Sequence, residues 1–248
     1  FFFFFFFGGL GVAWVGEERR YMMMQEAFTL GRREVVVARP FTHPDHIAAD
    51  TAVLRTMLAA VRQQLAHVPA SQFRPPLVTC FPDEAGWQKR VFTVQPRHFR
   101  EAEGLTAVGF FGQRRQAADP ALVTKIRETG EQMLDALMEL PGMVSYCSML
   151  LADAFNYANL VLLVSEQSVA VWRQNATHQH VNAFVSPDYY ANVRIYNGLL
   201  LRGARDRCRL QLHRVKYWDY QETPTWRAVR LLAKDARRPN PDVGLSGG

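Results

Sequence analysis

The chain has 248 residues and a mass of 28.3 kDa, enough for one large domain or two small ones with a real hydrophobic core. Apolar residues make up 48% and charged residues 21%, with a mean hydropathy of -0.14, which excludes a disordered chain, a collagen and a polytopic membrane protein. The formal charge of +6 is unevenly placed: residues 1–201 carry 18 basic and 18 acidic side chains, so the whole excess lies in 202–248.

The N-terminus is the least ordinary segment. Phe1 to Phe7 are all phenylalanine, and Leu10, Val12 and Trp14 follow with no charged residue before Glu17. As a helix, sixteen uncharged residues reach about 24 Å, short of the roughly 30 Å of bilayer hydrocarbon. A membrane helix that begins upstream of Phe1 is the favoured expectation, with Phe1, Phe7, Leu10, Val12 and Trp14 as the anchor and 17–20 in the headgroup region. A signal-peptide core, or a segment with no membrane role, is the alternative. The anchor gives the expected localisation, a bacterial inner membrane or an organelle membrane, held by a single pass or peripherally.

A charged connector is expected over 17–34, then a valine-rich strand over 34–41. Pro44 and Asp45 open a helix whose apolar positions, Ile47, Leu54, Met57, Leu58, Val61 and Leu65, share one face. Two strands over 76–81 and 90–95, separated by a turn-prone 82–86, complete a small α+β unit spanning 17–103. From residue 104 the pattern is cleaner. It predicts a strand over 105–113, a helix that starts at Asp119-Pro120 and stops at Pro141-Gly142, strands over 143–152 and 159–165, a helix from Glu166 past Trp172, and closing strands over 190–196 and 207–220. That order is β-α-β-β-α-β, a ferredoxin-like arrangement in which two helices cover one sheet face and the other stays open for a second copy. A basic tail over 221–248 carries Arg227, Arg230, Lys234, Arg237 and Arg238, with an acidic protein, anionic lipid or nucleic acid as the partners such charge can meet. The nucleic-acid reading is disfavoured, because no zinc-ligand spacing or aromatic RNP-type strand accompanies the charge.

Residues 104–220 resemble the antibiotic biosynthesis monooxygenase family of dimeric α/β-barrels. The carrying segments are Leu140-Pro141-Gly142-Met143, Leu163-Val164-Ser165-Glu166-Gln167-Ser168, the Trp172 to His178 stretch with five residues between the two, and Tyr189-Tyr190-Ala191-Asn192-Val193-Arg194-Ile195. The resemblance implies oxygenation of aromatic or polyketide substrates without metal or flavin, heme degradation in one branch, and domains that have lost catalysis. In the heme-degrading branch a tryptophan, a histidine and a first-strand asparagine act around iron. Trp172 and His178 would fill two of those places, with His178 as the candidate heme ligand, but 105–113 contain no asparagine.

Other chemistry is thinly signalled. Cys80, Cys147 and Cys208 are too few and too scattered for a disulfide framework or a four-thiolate metal site. His43 with His46, and His178 with His180, lack an acidic helper at metal-site spacing, so no metal is expected. Tyr189, Tyr190, Tyr196, Tyr217, Trp218 and Tyr220 could wall a ligand or a protein contact, with core packing the plainer reading.

Two functions fit. The first is a non-catalytic accessory subunit of a larger membrane complex, tethered by the N-terminus and docked on other subunits through an open sheet face and the basic tail. The second is a heme-binding or cofactor-independent monooxygenase with Trp172 and His178 at the pocket rim. No cofactor is expected on the first reading; heme belongs to the second. If the anchor is real, removing residues 1–16 moves the protein from the membrane pellet to the supernatant at high salt, and retention in the pellet discards it.

Overall fold

The computed structural model describes residues 27–82, 88–116, 120–153, 155–205 and 208–232. The anchor residues Phe1, Phe7, Leu10, Val12 and Trp14, and the tail residues Lys234, Arg237 and Arg238, lie outside the described residues. No described helix is long and apolar enough to cross a membrane.

Among the described residues, nine strands form one mixed sheet within an α+β fold. Its centre is built from β4 (Gly104–Arg114), β5 (Met143–Leu150), β6 (Tyr157–Leu163) and β7 (Tyr190–Leu201), in the spatial order β7-β4-β6-β5 and antiparallel throughout. The hairpin of β2 (Leu77–Pro82) and β3 (Gln88–Thr93) extends the sheet beyond β5, while β8 (Arg209–Asp219) and β9 (Trp226–Leu231) extend it beyond β7. The short β1 (Phe28–Leu30) closes that edge, parallel to β9. The strands expected in 17–103 therefore belong to the same sheet as those after residue 104, not to a separate unit.

Each face of the sheet has its own helical cover. On one face, α3 (Pro120–Met138) and the run from α4 (Glu166–Gln174) through α5 (Ala176–His180), a π-helical turn at Val181–Val185 and α6 (Ser186–Tyr189) pack over Val108, Phe110, Tyr146, Val161, Val193 and Ile195. Between β3 and β4, the short α2 (Pro96–Glu101) buries Phe99. Gly142, at φ 83°, ends the α3 connection in a left-handed turn, where a Cβ would strike the Ser168 hydroxyl.

The opposite face is where expectation and structure part. It is covered by α1 (His46–Ala66), whose Leu54, Met57, Leu58, Val61 and Leu65 pack on Ala107, Phe111, Cys147, Leu160 and their neighbours. The apolar stripe read in the sequence is correct, but its partner is the face thought to be open. Each such side chain contributes about 1.5–3 kcal/mol on burial. Gly109 of β4 permits the close approach, since a Cβ there would lie 2.7 Å from Leu54 Cδ1.

Two polar residues on the same stripe fix how α1 sits. Asp50 accepts hydrogen bonds from Arg194 Nε at 2.7 Å, Arg194 Nη2 at 2.9 Å and Tyr196 Oη at 2.7 Å. Further along, Gln64 donates to Leu77 O at 3.1 Å and Thr79 Oγ1 at 3.0 Å, and accepts from Thr93 Oγ1 at 2.6 Å. The helix is thereby tied to strands on both flanks of the sheet.

Two further corrections concern the edge. Residues 34–41 form no strand; the chain turns there and enters a single 3-10 turn at Pro40–Thr42, leaving Val37 exposed. Residues 226–231 are a strand and not part of a tail. Arg230 is fully buried: its guanidinium donates to Glu34 O and Thr42 O, both at 2.9 Å, to Gly31 O and to Tyr217 Oη. Arg230 thereby holds the backbone on both sides of the valine run, at Glu34 and at Thr42, while the Val36 carbonyl accepts from Arg39 N within a local turn. Arg227 lies in the same strand over the Trp218 ring, 5.2 Å from its centroid.

Replacing Asp50 by Leu leaves a buried guanidinium without its carboxylate and is expected to cost about 3–5 kcal/mol in urea unfolding. The triple variant D50L/R194M/Y196F, which removes the polar set together, is expected to recover most of that loss.

Candidate functional site

The structure brings Trp172 and His178 together, inside the core. Trp172 is on the last turn of α4 and His178 in α5, where the Asn175 side chain caps the helix by accepting the His178 backbone N–H at 3.0 Å. This change of direction folds the imidazole back against the indole, with ring centroids 5.0 Å apart. His178 is fully buried, and Asn182 Nδ2 lies 3.0 Å from its Nε2. Burial, with the Arg173 charge second, pushes its pKa down to about 3, so the ring is neutral at ordinary pH.

This setting does not fit the heme ligand implied by the resemblance. A heme needs an open axial position and a slot beside it, whereas the His178 imidazole is closed in by Trp172 and Asn182. The Trp172 indole, buried to 1%, packs among Val169, Val181 and Val185. The six aromatic residues from Tyr189 to Tyr220 are all buried as well, divided between the two faces of the sheet, so they form core and not a surface wall. His43 is engaged with Asp45 at 3.4 Å and His46 with Pro40 O at 3.2 Å. Among the described residues no cluster of three or more metal-ligating side chains occurs.

The accessible space lies one helical face away. A cavity of about 1090 Å³ opens beside the β7–β8 end of the sheet, lined by α4 from one face and α1 from the other, where β9 stops at Leu231 opposite Arg214 and β8 continues to Arg209 paired with β7 alone. Opposite Asn197/Gly198 the register shifts, with His213 as the extra residue, a bulge that locally re-aims β8. Gly198 is required there because a Cβ would collide with Gln211 O. Asn197 Oδ1 accepts from Arg214 Nε at 3.2 Å, which sets the arginine on the cavity wall.

The wall carries Arg55 of α1, Arg173 of α4, and Arg209 and Arg214 of β8, against, among the described residues, the single carboxylate of Glu166. Its apolar part includes Val169, Ala170, Leu210 and Leu212. Lys216, two residues along β8 from Arg214 and on the same face, belongs to the same electrostatic group. Burial first, then the Arg214 and Arg173 charges, pull its pKa down to about 7. Arg173 is lowered too, by burial and by Arg214, with Glu166 opposing. This assembly is not legible in local sequence, since it draws on α1, β4, α4, β7, β8 and β9 and depends on where one strand stops. The alternation Arg214, Lys216 on a strand was the available signal.

No protein-family profile matches the chain, and no curated protein matches its sequence. Solved structures that are similar include a protein from Shewanella oneidensis (12% identity, TM-score 0.33, covering 39% of this chain and 93% of that one). Another is a variant of SnoaB, a cofactor-independent oxygenase from Streptomyces nogalater (12% identity, TM-score 0.30, 40% and 91%). A third is a candidate monooxygenase from Lactobacillus acidophilus NCFM (10% identity, TM-score 0.32, 63% and 92%). Each is similar to part of this chain.

His178 makes a testable contribution to acid stability. Its folded pKa is depressed, so below the unfolded value of 6.5 the unfolded chain binds a proton that the native state does not. Stability is then lost as pH falls from 6.5 toward 3, by up to about 1.4 kcal/mol per pH unit. Urea midpoints across that window are expected to show a shallower acid slope for His178→Gln than for the wild type.

Proposed function

We propose that this protein is a cofactor-independent monooxygenase on a ferredoxin-like scaffold, with the cavity beside α4 as its substrate site. The observation that carries this reading is the cavity itself: it is large enough for a polycyclic organic molecule, half-lined with apolar groups, and ringed with fixed positive charge. The strand order β7-β4-β6-β5, with its helices after β4 and β6, supports the ferredoxin-like part. The accessory-subunit reading loses one of its supports, the open sheet face, which α1 covers.

The chemistry asks little of the protein beyond charge. An acidic methylene between aromatic or carbonyl groups gives up a proton, and the resulting carbanion donates an electron to dioxygen; recombination forms a hydroperoxide. Loss of water then leaves a carbonyl, so one oxygen atom enters the product, the other leaves as water, and the substrate supplies all four electrons. Arg173 and Arg214 would hold the negative charge as it forms. Lys216, two residues along β8 from Arg214 of the wall and partly neutral near pH 7, would take the proton through an intervening water and return it to the peroxide.

The test is oxygen uptake by the purified protein with anthrone, without added metal, flavin or heme. Uptake is expected in the wild type and should fall at least tenfold in Ala170→Trp, which fills the cavity from α4, with an unchanged melting temperature. Uptake equal in both proteins, or absent from the wild type, overturns the proposal.

A further inference from the structure

We propose that the α4/β7–β8 cavity recognises an organic anion: an apolar body that carries a carboxylate, held by the Arg173 and Arg214 guanidiniums. This deepens the reading of the cavity as a substrate site, and it is tested by a binding equilibrium that is separate from turnover.

The argument starts from the arrangement of charge. Arg173 reaches the cavity from a helix and Arg214 from a strand, so two guanidiniums from different elements face one space. Each alters the other's environment: Arg214 is the leading charged neighbour acting on Arg173, and both act on Lys216. Like charges gathered in partly buried surroundings repel, and an arriving anion relieves that repulsion while replacing lost hydration. Among the described residues only Glu166 opposes them on the wall, and it is exposed at the start of α4. Arg55 and Arg209, both exposed, stand at the mouth and raise the local concentration of anions.

The shape of the anion follows from the rest of the wall. Ile47, Val169, Leu210, Leu212 and Leu231 contribute apolar surface beside the arginines. A small inorganic anion leaves that surface wet; a ligand with an apolar chain or ring system covers it. Guanidinium favours planar, two-oxygen acceptors, which selects a carboxylate. Asn197 Oδ1 accepts from Arg214 Nε and so fixes that guanidinium on the wall.

The probes are decanoate and its uncharged counterpart decanol, titrated calorimetrically into the full chain. Decanoate is expected to bind with an affinity that falls as salt rises, and decanol at least tenfold more weakly. Arg173→Gln and Arg214→Gln should each weaken decanoate about tenfold or more while leaving decanol unaffected. Glu166→Gln should tighten decanoate, an effect of opposite sign that loss of folding cannot produce. Equal affinity for the two probes, or a Glu166→Gln variant that binds decanoate no better than the wild type, overturns the proposal. If decanoate binds as described and anthrone draws no oxygen, the anion site stands and the oxygenase reading falls.

Discussion

The structure turns on a carboxylate placed where a sheet face would otherwise be bare. Asp50 sits on the apolar stripe of α1, and burying it unaccompanied would cost several kcal/mol. Arg194 and Tyr196 of β7 supply three hydrogen bonds to its two oxygens. Apolar contacts alone would let the helix slide or rotate over a flat aliphatic surface with little change in energy. The ion pair leaves one satisfactory position, and the leucines then pack around it. Gln64 repeats the device toward β2 and β3. A sheet whose second face would otherwise require another copy of the protein is thus completed within one chain.

What the sequence disclosed follows from the range of each interaction. The stripes of α1 and α3 were legible because helical periodicity is local, and β4, β6 and the Pro141-Gly142 stop were legible for the same reason. The partner of α1 was not, since an amphipathic helix declares that it has an apolar face but not which surface will receive it. The valine-rich 34–41 segment reads as a strand by composition. Its two ends, at Glu34 and just beyond it at Thr42, are instead held by Arg230, nearly two hundred residues away, whose charge suggested an exposed tail. Buried arginines that serve as backbone donors look, in a sequence, like any other basic residue.

The candidate site shows the same limit more sharply. Trp172 and His178 lie side by side, and a capped break between two short helices turns both inward. Arg173, adjacent to the tryptophan, faces the cavity instead. One residue's difference along α4 separates a core position from a ligand-facing one, and only the seating of that helix decides which is which. The bulge opposite Asn197/Gly198 and the early end of β9 complete the site, and neither leaves a mark in local composition.

The long span between Asp50 and Arg194 also bears on how the molecule is made. At ribosomal rates of 5–20 residues per second, about 7 to 29 seconds pass between the synthesis of the aspartate and that of the arginine 144 positions later. Throughout that interval the Asp50 carboxylate on the emerging helix has no guanidinium to pair with, and β1 must wait longer still for β9. A nascent chain in that condition is a natural client for a holding chaperone, and its yield in a cell is governed by how well those seconds are bridged as much as by the stability finally reached.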